Sequence, residues 1–228
     1  MPTAAELEIL GLSLRVALVG LAASLPLAIA VAFVLARKSF PGKTLFDAFV
    51  HLPLVLPPVV VGYALLVLFG TQGPIGRLLE PLGIVFAFRW SGAALAAAIM
   101  GFPLLVRAVR LAIDAVDTRL ELAARTLGAG RARVFLTVTL PLALPGIVTG
   151  SLLAFARALG EFGATITFVS NIPGETQTLP LAIYTATQVP GGDAQALRLS
   201  VLSVLLSLAA LAASEYLVRR EPREGRDA

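Results

Sequence analysis

The chain has 228 residues, of which 57% are hydrophobic and 14% charged, a balance too apolar for a soluble domain of this size to hide in one core. Its net charge of +4 would point to nucleic acid in a soluble protein, but here the basic residues stand at the ends of apolar runs, where they set membrane orientation. There is no cysteine, which excludes a disulfide framework and a Cys-based metal site.

A helix needs roughly 20 apolar residues to cross the hydrocarbon layer. Five stretches reach that length, at about 10–36, 45–70, 91–111, 142–168 and 199–218, so the expectation is an all-α integral membrane protein with one transmembrane domain over 1–228. The first stretch is too long for a cleaved signal peptide and is taken as a retained helix. Gly42-Lys43-Thr44 is not a phosphate-binding loop, because Arg37 stands where that motif needs a Gly and no strand precedes it, so the chain has no ATP site of its own. The second stretch contains Pro53, Pro57 and Pro58, which free backbone carbonyls and predict a kink, either passive or part of a gate. Residues 79–90 are too short in their apolar part to cross, and form an interfacial loop with Phe88 and Trp90 at headgroup level.

The longest polar stretch, 114–141, follows the third span. Asp117 or Thr118 can cap a helix that starts near Arg119, with Glu121 in its first turn and the small pair Ala123 and Ala124 on it. Gly128 stops or bends that helix, and Pro141 marks the start of the next span. A short helix of this kind can seat in a groove of a partner protein; an ordinary linker is the alternative. Inside the fourth span, Arg157 and Glu161 are four residues apart and share a helical face. Either charge alone at mid-membrane would cost roughly 2.5–3.5 kcal/mol, so both must face protein or a water-filled path. They form an internal ion pair that fixes packing, or they line the route of an anion. Gly160 and Gly163 make the same helix narrow. Residues 169–198 form an outer segment with a half-helix near 179–188, and the tail is 219–228.

With five spans, thirteen of the eighteen Lys and Arg residues fall on one side, including Arg37, Lys38, the six arginines from Arg107 to Arg133, and Arg219, Arg220, Arg223 and Arg226 of the tail. That side is cytoplasmic by the positive-inside bias, which places the N-terminus outside and the C-terminus inside. His51, the only histidine, receives no role, and no acid, base and nucleophile converge, so no catalytic residue and no metal site is expected.

The run Ala123-Ala124, three residues, Gly128, nine residues, Val138, one residue and Leu140-Pro141 resembles the coupling loop of ABC importer permeases, Glu-Ala-Ala-x3-Gly-x9-Ile-x-Leu-Pro. The chain departs from that pattern with Leu122 at the Glu position, Glu121 lying one place earlier, and with Val138 for Ile. Ala-Arg-Lys-Ser-Phe-Pro-Gly-Lys (36–43), Leu-Pro-Leu-Val-Leu-Pro-Pro-Val-Val-Val-Gly (52–62), Phe-Ala-Arg-Ala-Leu-Gly-Glu-Phe-Gly-Ala-Thr (155–165) and Asn-Ile-Pro-Gly-Glu-Thr (171–176) are similar to the molybdate permease family. The resemblance implies the type I, MetI-like importer permease fold in the cell inner membrane. It further implies a second copy of the chain, a cytoplasmic ABC ATPase that holds ATP and Mg, and an extracytoplasmic molybdate-binding protein, with no cofactor on this chain. Glu121, Ala123, Ala124, Gly128, Leu140 and Pro141 are then the ATPase-coupling residues, and Arg157 and Glu161 the pathway candidates. A sulfate/thiosulfate or tungstate permease is the near alternative, and an ion-coupled secondary carrier the distant one.

Overall fold

The computed structural model describes residues 3–219; the expected tail arginines Arg220, Arg223 and Arg226 lie outside them. Among the described residues four helices are long and apolar enough to cross a membrane, and the count is five if one bent pair is taken as a single broken span. The first helix, α1 (Ala4–Arg37), begins earlier than the apolar run at 10 indicates and spans about 51 Å, well beyond the roughly 30 Å of hydrocarbon. The early start has a local cause. Thr3 Oγ1 accepts the Glu6 N–H while Glu6 accepts the Thr3 N–H at 2.8 Å, a reciprocal cap that satisfies two end donors.

The expected single span at 45–70 is not straight. It is divided into α2 (Lys43–Val55) and α3 (Pro58–Phe69), which meet at 111°. Each is about 20 Å long or less, too short to cross alone. Pro57 pushes Leu56 into extended backbone and has no N–H to continue the ladder, while Pro58 suits the first turn of a new helix. Pro53, by contrast, sits inside α2 without ending it. The short α4 (Pro74–Leu79) and a 3-10 turn, Glu80–Leu82, fill the connection to α5 (Trp90–Asp114). As expected, this stretch does not cross. Trp90 is covered by the Arg15 guanidinium of α1, 3.7 Å above its ring.

Helix α5 is the centre of the bundle: 61% of its most apolar stretch is buried, against 11% for the last helix, which faces outward. Lipid tails are as apolar as Leu, so close packing rather than water exclusion holds such helices together. Small residues permit it. A Cβ on Gly20 of α1 would stand 2.8 Å from the Ala94 carbonyl oxygen, and one on Gly150 would stand 2.7 Å from the Ala108 Cβ. Two large apolar clusters result, one around Met100 and Phe168, the other around Leu35, Leu105 and Ile113, beside a small one of Leu179, Ala182 and Leu199.

Past α6 (Thr118–Thr126), the chain enters α7 (Arg131–Val134), a π turn at Phe135–Thr139 and α8 (Leu140–Leu159), which continue one another as a 29-residue helix. The fourth span is therefore 131–159 rather than 142–168, and Pro141 lies within it rather than at its start. The wide turn explains how. The Leu140 N–H donates to Phe135 O, five residues back, immediately before a proline that has no N–H to give. The remainder of the expected fourth span is a separate short helix, α9 (Gly163–Val169). The expected half-helix is α10 (Leu179–Gln188), and α11 (Asp193–Arg219) begins six residues before the expected 199.

Candidate functional site: helix α6 and the broken spans

Helix α6 is closed at both ends by its own backbone and side chains. Asp117 accepts the Arg119 N–H at 2.8 Å, as a helix N-cap does. At the other end Ala129 N–H donates to Ala124 O and Gly128 N–H to Arg125 O, with Gly128 at φ +87°. This is the paired C-terminal motif that a left-handed glycine permits. No residue of α6 is buried, and Leu120, Leu122 and, just past it, Leu127 all present large exposed apolar side chains. Leu120 and Leu127, seven positions apart, share one face, and exposed apolar side chains together outside the membrane spans mark a contact surface.

Glu121 points the other way. Arg37, the last residue of α1, donates to it from Nε at 3.2 Å and Nη2 at 3.0 Å, and from Nη2 to Val116 O at 3.0 Å. Thr139, at the end of the π turn, donates to the same carboxylate oxygen at 2.8 Å. Rather than closing its own first turn, Glu121 ties α6 to two membrane helices. Ala123 and Ala124 stay on the outer part of α6, while Leu140 and Pro141 lie on α8, next to Thr139. The six residues singled out in this loop thus form not one surface but a chain: an exposed helix, a partly shielded tether, and a membrane helix. Arg37 and Thr139 were not singled out by sequence, because neither the end of an apolar run nor a threonine 18 positions away carries a local pairing signal.

Arg157 and Glu161 are brought together as expected, at 2.6 Å, but Glu161 is not within a continuous helix. It stands in the break between α8 and α9, 2% exposed, and its Oε1 accepts the Ala164 N–H at 2.8 Å. One oxygen therefore holds the start of α9 and the other holds Arg157, whose side chain is 29% exposed. Opposite this break lies the other one. A Cβ on Gly163 would stand 2.8 Å from Pro58, and one on Gly62 would stand 2.5 Å from the Ala164 carbonyl oxygen. The half-helices α3 and α9 pack backbone to backbone through these two glycines, directly beside the Arg157–Glu161 pair.

Two further ties fix the ends. At the polar end shared with α6, Arg110 binds Asp47 at 3.1 Å, joining α5 to α2, and His51 Nδ1 stands 3.2 Å from Asp47 Oδ1, so the lone histidine does have a carboxylate neighbour. At the opposite end, Leu179 N–H donates to Ser13 Oγ at 2.7 Å and Glu6 pairs with Arg198 at 3.1 Å, which fastens α10 and α11 to α1.

Residues 8–221 match the family described as binding-protein-dependent transport system inner membrane component. The chain belongs to this family. The permease is 62% identical over 209 residues, 91% of each chain, to the molybdenum transport system permease protein of Escherichia coli K12. It is 56% identical over 216 residues, 94% of each chain, to the protein of the same description from Haemophilus influenzae. A sulfate transport system permease protein of Synechococcus elongatus is 43% identical over 155 residues, 68% of this chain and 54% of that one. In fold, the permease is similar to a bacterial ABC transporter involved in import of the acidic polysaccharide alginate, with a TM-score of 0.77 at 16% identity over 97% of this chain and 82% of that one. The MetNI methionine ABC transporter in inward-facing conformations gives a TM-score of 0.69 at 19% identity, over 96% of this chain and 94% of that one. The fold is that of a type I ABC importer permease, as the resemblance of the loop implies, and the family membership removes the secondary-carrier alternative.

Proposed function

We propose that the permease is the membrane-spanning subunit of an ABC importer that moves molybdate across the cytoplasmic membrane by alternating access, with ATP hydrolysed on a separate subunit. The observation that carries the substrate is the identity of 62% and 56% to molybdenum permeases over 91% and 94% of the chain, against 43% over 68% for a sulfate permease. Helix α6 docks in a cytoplasmic ATPase that holds ATP and Mg, with Leu120 and Leu127 on one face as its apolar contact. Movement of α6 passes through Glu121 to Arg37 on α1 and to Thr139, and from there through Leu140 and Pro141 into α8. Gly128 keeps the helix end in the register that this transfer needs.

Two copies of the chain surround one pathway. An extracytoplasmic binding protein delivers the oxyanion to the face formed by 71–90 and 169–198, with the N-terminus outside. ATP binding favours the outward-facing state, and hydrolysis returns the inward-facing one; each ligand shifts the balance by its different affinity for the two states. Arg157 offsets the dianion's charge, and Glu161, itself held by α9, keeps that cation from binding the ion too tightly.

The test is uptake in cells that lack their own molybdate permease, with the permease expressed beside its ATPase and binding protein. Restored molybdate uptake that excess sulfate leaves unchanged supports the reading. Uptake that sulfate suppresses as strongly as molybdate does would replace it with the sulfate reading.

A further inference from the structure

A cavity of about 650 Å³ opens between the end of α1, the coupling helix α6 and the π turn. Its wall and its mouth differ sharply in chemistry. Pro26, Ile29, Ala30, Phe33 and Val34 line one side as an apolar trough that follows α1. The mouth carries Arg37, Lys38, Arg125 and Arg131, four cations against the single carboxylate of Glu121. Glu121 is already engaged by Arg37 and Thr139. Lys38, Arg125 and Arg131 are exposed, and no carboxylate among the described residues pairs with them.

The dimensions match one leaflet. From Pro26 to Arg37 is eleven residues of helix, about 16 Å at 1.5 Å per residue, which is half of the roughly 30 Å hydrocarbon layer. A ligand that fits this trough is apolar for about that length and anionic at its end. A free oxyanion would leave the apolar wall unused, whereas a lipid would cover it. Juxtamembrane cations contribute attraction to anionic headgroups, and basic pockets between membrane helices suit phospholipid phosphate.

We propose that this cavity holds an anionic phospholipid of the phosphatidylglycerol or cardiolipin class, its phosphate at Lys38, Arg125 and Arg131 and one acyl chain along the α1 trough. The lipid bridges α1, α6 and α7, so it stiffens the same corner that the Arg37–Glu121 tether holds and ties the coupling helix to the membrane surface. The site is independent of the transported ion.

The test is native mass spectrometry of the delipidated full chain in detergent, titrated with phosphatidylglycerol and with phosphatidylcholine of the same acyl length. Phosphatidylglycerol is expected to bind the more tightly, and Arg125→Ala/Arg131→Ala to weaken it about thirtyfold, the loss expected for two surface cations. Arg125→Lys/Arg131→Lys should restore binding, which separates lost charge from lost folding. Ala30→Trp, at an exposed position in the trough, should exclude long-chain lipid while leaving all the cations in place. Equal binding of the two lipids, or displacement of phosphatidylglycerol by millimolar inorganic phosphate alone, would overturn the proposal. So would a charge-deleted double variant that keeps its lipid but loses a co-expressed ATPase, which would make the cluster a protein contact.

Discussion

Replacing Arg37 with Ala removes three hydrogen bonds at once, two to Glu121 and one to Val116 O. The pair is mostly shielded, with side chains 15% and 17% exposed, so the change leaves a carboxylate with only the Thr139 hydroxyl in a place water reaches poorly. Loss of a charged hydrogen-bonding partner costs about 1.5–3 kcal/mol, and since the three bonds share one guanidinium that solvent screens in part, the loss for the whole group should be about 2 kcal/mol. Since α6 is otherwise held by few contacts, the loss should appear as local opening of α6 and not as global unfolding. Hydrogen exchange followed by mass spectrometry, on the chain in nanodiscs, should show amides of 118–127 exchanging about thirtyfold faster, while those in the centre of α5 stay unchanged. The cycle with Glu121→Ala isolates the pair: the double variant should cost about 1.5 kcal/mol less than the sum of the singles. Additivity within about 0.5 kcal/mol, or an α6 that exchanges at the wild-type rate in Arg37→Ala, would show that the tether does not hold the coupling helix.

The two breaks give further predictions. Glu161→Ala should destabilise the chain by about 2 kcal/mol in a detergent melt, since it unpairs Arg157 and uncaps α9, whereas Glu161→Gln keeps an acceptor for the Ala164 N–H and should lose about half as much. Equal losses in the two variants would mean that the cap contributes nothing. Arg157→Ala should abolish molybdate uptake, and normal transport by Arg157→Gln would refute a charge role in the pathway. Gly62→Ala should cost about 2 kcal/mol, because its methyl would meet Ala164 backbone that cannot rotate away; a melt within error of wild type would show that α3 and α9 can separate freely. Gly128→Asp puts a side chain at φ +87° and should release a co-expressed ATPase, and retention of the ATPase at wild-type yield would remove α6 as its docking element.

Much of the architecture was legible from residue chemistry alone. Apolar stretches long enough to cross, the bias of Lys and Arg toward one set of loops, the capped helix at 118–126 and the half-helix at 179–188 follow from composition, charge and turn chemistry, each of which acts over a few residues. The chain around Pro57 and Pro58 was legible as a disturbance but not as a 111° turn, because proline forbids a continuation without choosing the direction of the next helix. Packing chose it, through Gly62 and Gly163. The same holds at 131–168. Reading Pro141 as a helix start put the beginning of this helix too late, and hydropathy, which adds up residue by residue and runs smoothly across Gly160, passed over the break that gives Glu161 its cap. Most dependent on tertiary structure is the tether of α6. Arg37 and Glu121 are 84 positions apart, and nothing local to either names the other. Only the packing of α1 and α8 against α5 brings Arg37 and Thr139 to the same carboxylate, and that convergence fastens a polar loop to two membrane helices.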